Sequence, residues 1–294
     1  MALILVLIGI ACGVGACSTG LTWRSLRSEH GIISLWPHQW GITGAVRDVK
    51  PEVQEFSKTE NIREINLDAR SAEVNICPLT DWTMEHTGAE DSFVVEVYER
   101  NQPVSVTSEN GKLSVKANAN SSFHIGFVKS TTVNIYVPSE AELSGLSLKC
   151  NSGDISILAD IRTENLEVTT GSGNIANTGK LSVLKDARIY TGSGDTTLQS
   201  VDCGRDMEMT CGSGNIWYAG TVAGNLDGQT GSGDLEISLN GNEEDYNYRI
   251  DCGSGDVVVN GRSYEHHMEH EHSGNDRTIT LRCGSGDMVL NISE

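Results

Sequence analysis

The segment Leu146–Ile157, LSLKCNSGDISI, contains the pattern that decides the fold. Apolar or small residues alternate with polar ones on both sides of Gly153, and a period of two is typical of strands with one buried face. The tetrapeptide Asn151–Asp154 separates the two alternating stretches and consists of turn-forming residues. The segment therefore predicts a strand, a tight turn and a second strand.

Similar turns recur six more times downstream, each flanked by alternating residues. The second glycines of the seven turns are 20, 21, 20, 19, 22 and 31 residues apart. Because a period near 20 residues is too short for a propeller blade or a helical-hairpin repeat, it indicates one coil of a β-solenoid, which buries its apolar edge only by stacking on its neighbours. The turns are Asn151–Asp154, Gly171–Asn174, Gly192–Asp195, Gly212–Asn215, Gly231–Asp234, Gly253–Asp256 and Gly284–Asp287.

A degenerate copy of the pattern lies further upstream. Ile65–Ile76 matches Leu146–Ile157 position for position and lies close to four periods earlier in the chain. The sequence therefore predicts an all-β fold, a parallel β-helix or β-solenoid with coils of about 20 residues that extends over residues 60–294. About eleven coils at a strand spacing of about 4.8 Å would form a stack roughly 50 Å long. The intervening coils would include the strand-like stretches Val94–Val97, Leu113–Ala117 and Val133–Val137.

Composition and charge narrow the class of protein. The chain has 294 residues, with 40 acidic and 21 basic side chains that give a formal net charge of −19. Its 32 glycines, 5 prolines and 5% aromatic residues do not fit a collagen-like or proline-rich disordered chain. Because phosphate binding requires clustered Lys and Arg, the charge argues against a nucleic-acid partner.

The N-terminal stretch predicts a membrane segment. Residues 1–23 contain no charge, and Ala2–Ile10 is almost continuously apolar. This length is just sufficient for one transmembrane helix. We interpret residues 1–22 as a single-pass anchor, residues 23–59 as a juxtamembrane or capping segment, and residues 60–294 as an extracytoplasmic domain. Two alternatives remain open: a lipoprotein signal with lipidation at Cys17, and a cleaved secretory signal. The usual basic start is missing, and a start codon upstream would supply it.

The aspartate or asparagine that ends each turn has two interpretations. As a structural residue, its side chain accepts hydrogen bonds from nearby backbone N–H groups, as in an Asx-turn. Alternatively, stacked carboxylates bind Ca²⁺ between coils. The structural interpretation is favoured, because the nine-residue repeat of calcium-binding β-rolls is absent and Asp alternates with Asn along the first five turns. The residues concerned are Asp154, Asn174, Asp195, Asn215, Asp234, Asp256 and Asp287.

Four cysteines share one repeat position. That position holds Thr in other coils, so we predict an inward column of small residues in which free cysteine acts as a small hydrophobe. A disulfide between Cys252 and Cys283, on adjacent coils, is the alternative. No C-x-x-C pair exists, which argues against a zinc site built from cysteines. The column comprises Cys150, Thr170, Thr191, Cys211, Thr230, Cys252 and Cys283.

Four of the eight histidines lie in Glu265–His272. This run falls in the 31-residue gap between the last two turns, which is about eleven residues longer than one coil, so we predict an inserted loop. A solvated polar loop is the simpler interpretation. The alternative is a transition-metal site, because His and Glu at this density can bind Zn²⁺, Ni²⁺ or Cu²⁺. The candidate ligands are His266, His267, His270 and His272.

The repeated G-S-G-D/N turns, the acidic β domain and the single N-terminal apolar segment resemble a bacterial family named "putative adhesins" with β-strand repeats, the domain of unknown function 4097. The resemblance covers residues 60–294. It implies a β-helical protein of the bacterial cell envelope with a role in adhesion, and it carries over no catalytic residues.

Enzyme signatures are missing from the sequence. It has no nucleophile elbow, P-loop or H-E-x-x-H motif, and no helix follows the glycine turns. Residues 146–294 hold 23 acidic and 10 basic side chains without a basic cluster. We therefore expect a non-catalytic surface module that needs no cofactor, is attached to the membrane and binds an unidentified envelope ligand. The alternatives are an envelope-stress sensor or scaffold acting through a membrane partner, and a carbohydrate-active β-helix enzyme.

Overall fold

The structure, a computed structural model, describes residues 50–85, 91–99, 103–117, 131–139, 141–272, 274 and 276–293, together with the backbone of residues 32–33 and 42–43. The described residues form 25 strands, one short helix, α1 (Leu79–Glu85), and two 3-10 turns, Lys58–Glu60 and Glu243–Asp245. Strands β1 and β2 pair with each other and belong to a separate unit. The N-terminal strands are β1 Ile32–Ile33, β2 Ile42–Thr43, β3 Glu52–Phe56, β4 Glu64–Pro78, β5 Phe93–Tyr98, β6 Val104–Glu109, β7 Lys112–Ala117, β8 Thr131–Val137, β9 Glu142–Ser152 and β10 Ile155–Ile157.

Strands β3–β25 belong to one sheet, and β11–β25 are its C-terminal strands. They are β11 Ile161–Ser172, β12 Ile175–Asn177, β13 Leu181–Val183, β14 Ala187–Ser193, β15 Thr196–Cys203, β16 Met207–Ser213, β17 Ile216–Val222, β18 Leu226–Ser232, β19 Leu235–Asn240, β20 Asn247–Cys252, β21 Val257–Val259, β22 Arg262–Tyr264, β23 His267–His270, β24 Thr278–Ser285 and β25 Met288–Ser293.

Each central coil has three faces of parallel strand. In one coil, β16 leads into a G-S-G-N turn, the first half of β17 follows the turn, and the second half of β17 returns around a corner. We call these faces 1, 2 and 3. The next coil repeats this path in register, with Met207 beside Leu226 on face 1 and Ile216 beside Leu235 on face 2. The all-β solenoid predicted from the period is confirmed.

The core consists of buried side chains in columns, each formed by equivalent strand positions of successive coils. In β16 the side chains of Met207, Met209 and Cys211 are buried, whereas Glu208 and Thr210 point outward. Complete burial of an aliphatic side chain contributes about 1.5–3 kcal/mol, and each coil supplies several on its three faces. Because both edges of a central coil are covered by neighbours, stability comes from stacking more than from any coil alone.

The N-terminal layers are not stacked in chain order. Strand β4 lies between β9 on one side and β7 on the other, so Ile65 pairs directly with Leu146. The equivalence of Ile65–Ile76 and Leu146–Ile157 is thus confirmed, but the prediction of intervening coils is wrong. Strands β7 and β8 pair with β4 on the side away from β9 and β10, and β5 pairs with β8. The apolar pattern does not exclude this order, because a register shift of four periods satisfies it as well as a shift of one period.

The C-terminal layers show the same inversion. Strands β24 and β25 insert between the β18–β19 layer and the β20–β21 layer. In the described residues face 1 therefore has nine parallel strands instead of eleven sequential coils, in the spatial order β7, β4, β9, β11, β14, β16, β18, β24 and β20.

Antiparallel strands cover both ends of this stack. At the N-terminal end β6 pairs with β7, and β5 pairs with both β8 and β3. At the other end β22 pairs with β21 and β23 pairs with β20. The histidine-rich run is therefore not the plain inserted loop predicted above, because residues 267–270 form an edge strand.

The predicted anchor, residues 1–22 with Cys17, lies outside the described residues, as do residues 23–31. Across the part of the chain that the structure describes, no helix has the length and apolar character needed to cross a membrane.

The column of small residues is confirmed by the register. Thr170 lies between Cys150 and Thr191, and Thr230 lies between Cys211 and Cys283. Cys252 is the register partner of Cys283. All six described cysteines are buried free thiols, so the structure contains no Cys252–Cys283 disulfide.

Candidate functional site

The seven G-S-G-D/N turns form one continuous column, which we call the turn ridge. Their second glycines have φ between +133° and +152°, a conformation that L-residues with a side chain rarely adopt. At Gly214 an added Cβ would lie 2.2 Å from the carbonyl oxygen of Gly194 in the next layer. The glycines thus permit both the corner and the close approach of neighbouring coils. The spatial order is Gly153, Gly173, Gly194, Gly214, Gly233, Gly286 and Gly255.

The Asp or Asn after each ridge glycine takes part in a chain of six bonds between neighbouring layers. In each bond the Oδ1 of one residue accepts a hydrogen bond from the backbone N–H of the equivalent residue one layer further on, at 2.7–2.9 Å. Both residue types supply this oxygen, so the bond is independent of charge. The acceptors and donors run in sequence through Asp154, Asn174, Asp195, Asn215, Asp234, Asp287 and Asp256.

The charge pattern of the turn ridge changes along its length. Asp and Asn alternate from Asp154 to Asp234, but Asp234, Asp287 and Asp256 then occupy three consecutive layers. The same three aspartates also end the last three turns in chain order, so the inverted layers change their order and not the run of charge. Within the described ranges no three His, Cys, Asp or Glu side chains are grouped to hold a metal ion. Ca²⁺ binding at the ridge stays the alternative to the predicted structural role.

A second column of the same kind lies where each coil enters face 1. Oδ1 of Asp206 accepts from the N–H of Asn225 at 2.8 Å, and Oδ1 of Asn225 accepts from the N–H of Thr278 at 2.9 Å. This column was not predicted from the sequence, although an Asp or Asn precedes the first apolar residue of these strands with the same period. A surface cleft of about 380 Å³ lies beside it, lined by Asp186, Arg188, Asp206, Glu208 and Asp227 among others.

Asp186 is the most strongly held carboxylate of that cleft. Arg205 donates to both of its oxygens, and the N–H of Asp206 also points to it. The Arg205 hydrogen bond is the main reason that the pKa of Asp186 lies below its usual value, with the opposing effect of desolvation next in size. Asp186 therefore remains ionised in this acidic region.

The four candidate histidine ligands separate into two groups. His266 and His267 are individually engaged: Nδ1 of His266 lies 3.0 Å from the carbonyl oxygen of Gly255, and Nδ1 of His267 lies 2.6 Å from Oδ1 of Asp251. The Nε2 atoms of His270 and His272 instead face each other at 2.9 Å. The structure thus brings together two of the four residues.

Comparison with known protein families identifies the chain. A family model described as Toastrack DUF4097 matches residues 62–291. The chain belongs to the Toastrack DUF4097 family. This is the family that the repeated turns resemble. Among curated proteins none matches this chain.

Solved structures with a similar fold include two proteins named for adhesion and one for lipid binding. A "putative cell adhesion protein" from Clostridium sporogenes is 12% identical with a TM-score of 0.38, covering 83% of this chain and 98% of its own. A "putative adhesin" from Bacteroides fragilis is 14% identical, with a TM-score of 0.37 and coverage of 82% and 97%. A "putative lipid binding protein" from Parabacteroides distasonis is 14% identical, with a TM-score of 0.42 and coverage of 84% and 97%. At these values no ligand or activity transfers to this chain.

The N-terminal end of the Toastrack domain contains a buried carboxylate. Glu96 accepts hydrogen bonds from the hydroxyls of Tyr98 and Tyr136, at 3.0 and 3.1 Å, and from the amide of Asn134, at 2.8 Å. Helix α1 lies beside this cluster, where the rings of Trp82 and Tyr136 are 5.3 Å apart. Because several donors satisfy the carboxylate, we assign the cluster a structural role.

Burial also makes the thiols of the Toastrack domain poor nucleophiles. Desolvation raises the pKa of Cys77 to about 11, with the nearby charges of Asp81 and Glu96 acting in the same direction. Desolvation likewise raises the pKa of Cys283 to about 11. A thiol with such a pKa is protonated at neutral pH and cannot act as a nucleophile or metal ligand without losing that proton.

Proposed function

We propose that this Toastrack protein is a non-catalytic cell-envelope surface protein, an adhesin-like interaction module that presents its acidic solenoid outside the cytoplasmic membrane. Residues 1–22 would attach it to the membrane in a single pass. Its partner would be an envelope or cell-surface ligand and not a nucleic acid, because the chain carries a net charge of −19.

The observation that best supports this proposal is the closed interior of the stack. Inward positions of the described coils hold buried side chains, such as Ile216, Tyr218 and Leu235, each at most 1% exposed. A ligand therefore meets only outward-facing side chains, which lie in columns at the spacing of the coils. Repeat proteins commonly bind through such extended surfaces.

The charge of those columns indicates the chemistry of the partner. The turn ridge, the second Asx column and faces 1–3 carry most of the 23 acidic residues of residues 146–294 against 10 basic ones. Several basic side chains are already paired on the surface, for example Lys180 with Asp202 at 2.9 Å and Lys185 with Glu164 at 2.6 Å. A surface with this excess attracts positively charged partners, and binding should weaken as salt rises.

The protein offers an isosteric way to test the ridge. Asp154→Asn, Asp195→Asn and Asp234→Asn together remove three charges but keep the Oδ1 acceptor, as Asn174 and Asn215 already do in neighbouring layers. A matched control, Glu109→Gln, Glu167→Gln and Glu236→Gln, removes three charges from exposed positions outside the ridge.

The assay is binding of purified protein to intact cells and to cell-wall extract, with and without Ca²⁺. We expect the ridge variant to bind less than the wild type, and 0.5 M salt to reduce binding. An equal loss in the control variant would assign the attraction to the total charge of the surface and not to the ridge. A wild-type protein that binds neither material would contradict the proposal. Deleting residues 1–45 separates the adhesin from a membrane-coupled sensor, because the adhesin should still bind. Turnover in a glycan-cleavage screen would instead indicate an enzyme.

A further inference from the structure

Strand β20 holds two histidines of the C-terminal cap in fixed positions. His270 is the register partner of Tyr248, and the two rings stack with centroids 5.1 Å apart and an interplanar angle of 23°. The backbone N–H of His272 donates to Oδ1 of Asn247 at 2.8 Å. Residues two apart on an extended chain project to the same side, so His270 and His272 reach a common point.

The Nε2 atoms of the two rings are within hydrogen-bond distance, but the rings do not lie in line. A straight N–H···N bond would place the ring centroids farther apart than the nitrogens by two ring radii, roughly 2 Å. The observed centroids are 4.3 Å apart and the Nε2 atoms 2.9 Å apart, which is a smaller difference. The two rings therefore meet at an angle at their Nε2 atoms, and their planes are inclined at 74°.

We propose that His270 and His272 chelate a divalent transition-metal cation, Cu²⁺ or Ni²⁺, through their Nε2 atoms. Metal–imidazole bonds of about 2.0–2.1 Å place two nitrogens about 2.9 Å apart at a right angle and about 3.3 Å apart at a tetrahedral angle. The observed 2.9 Å corresponds to the right angle. Adjacent ligands at a right angle are typical of square-planar or tetragonal Cu²⁺ and Ni²⁺ complexes, whereas Zn²⁺ prefers tetrahedral coordination.

The rest of the coordination sphere is left to water. The described residues include no third His, Cys, Asp or Glu positioned to complete the site. The site is therefore open and exchangeable, and Cu²⁺ should bind more tightly than Ni²⁺ or Zn²⁺ in the usual order for nitrogen ligands.

The neighbouring histidines provide matched controls in the same His-rich run. His267 is paired with Asp251 on β20, and His266 contacts the backbone of Gly255. Their Nδ1 atoms are thus directed to partners other than the His270–His272 pair. The double variant His266→Gln, His267→Gln therefore removes two imidazoles from the run without touching the proposed chelate.

The experiment is titration of the full-length protein with Cu²⁺, followed by calorimetry and by electron paramagnetic resonance. We expect one site with splitting from two nitrogens, a loss of Cu²⁺ affinity of at least about tenfold in His270→Gln and in His272→Gln, and weaker binding of Zn²⁺. Far-UV circular dichroism and the urea midpoint verify that each variant is folded. His30, His38, His86 and His124 contribute the same background in every variant.

Three results would overturn the proposal. One is Cu²⁺ binding by folded His272→Gln that equals the wild type. Another is a loss in the His266→Gln, His267→Gln variant as large as the loss in the chelate variants, which would assign binding to the run as a whole. Failure of the wild-type protein to bind Cu²⁺ at micromolar concentration would have the same consequence.

Discussion

Replacing one glycine of the turn ridge by alanine should destabilise the whole stack. At Gly214 the backbone has φ of +141°, and the new Cβ would lie 2.2 Å from the oxygen of Gly194. A side chain in this backbone region costs about 1–3 kcal/mol, and forcing a packed neighbour to move costs about 1–3 kcal/mol more. We therefore expect Gly214→Ala to lower the free energy of unfolding by about 4 kcal/mol, or roughly a thousandfold in the equilibrium constant.

Alanine substitutions at two other glycines distinguish the conformational part of this free-energy cost from the steric part. Gly261 has φ of +73° but nothing within 4 Å of the position that an added Cβ would take, so Gly261→Ala should cost only the conformational part, about 1–2 kcal/mol. Gly145 has no positive φ and a nearest neighbour at 3.7 Å, the Cγ of Glu64. Gly145→Ala should be neutral or stabilise by about 0.4–1 kcal/mol, because it restricts the unfolded chain.

The assay is urea denaturation of the full-length variants, followed by far-UV circular dichroism and tryptophan fluorescence. The expected order of stability is Gly145→Ala, wild type, Gly261→Ala and Gly214→Ala. The reasoning would be refuted by a Gly214→Ala protein within 0.5 kcal/mol of the wild type (about the effect of an ordinary surface substitution). A larger loss in Gly261→Ala than in Gly214→Ala would also refute it.

Three further predictions concern buried or paired side chains. Glu96→Ala should cost about 3 kcal/mol in urea denaturation because three half-buried donors lose their shared acceptor, and Glu96→Gln should cost less. The pKa of Asp186 is lowered in the folded protein, so the ionised side chain contributes to the free energy of unfolding. That contribution is complete above the usual Asp pKa of about 3.9 and is lost as the pH falls through the lower native pKa. In urea denaturation over that acidic range, the free energy of unfolding of Asp186→Asn should therefore depend less on pH than that of the wild type. In a Cys12→Ala, Cys17→Ala protein, Cys283 and the other buried thiols should react with Ellman's reagent at neutral pH only at the rate of unfolding, and rapid labelling of the native protein would contradict this.

The local structure of each coil could be predicted from the sequence, because it depends on neighbours in the chain. The alternation in Met207–Cys211 and the glycine turn after it determine which side chains point inward and where the strand bends. The column of Cys and Thr could be predicted from the same alternation, because each of its members occupies the same position relative to a glycine turn. The two inward neighbours of Thr230 are Cys211 and Cys283.

The order of the coils could not be predicted in the same way. Leu146 is flanked on face 1 by Ile65, which lies four periods away in the sequence, and by Leu166, which lies one period away. Each offers a similar apolar contact, so the periodic pattern does not distinguish between them.

The paired histidines were predictable as a group but not as a pair. Glu265–His272 is recognisable as a His-rich run, but the contact of His270 with His272 depends on β23 pairing with β20 and on Tyr248 supporting one ring. The second Asx column was accessible from the sequence, because its Asp or Asn residues recur with the same period as the turns. It was missed because glycine, the stronger signal, is not part of it.

The inverted order at the two ends restricts how this protein can change length. Strands β24 and β25 are wedged between layers that precede them in the chain, and β4 is similarly enclosed by later segments. Adding a coil at either terminus of the sequence would therefore not add a layer at the corresponding end of the stack, and we call these two ends interlocked. Duplication or loss of a unit is compatible with the stack only in the sequentially wound middle, between β11 and β17, where one coil follows another. Lineages of this fold should accordingly vary in the number of middle units while retaining both interlocked ends.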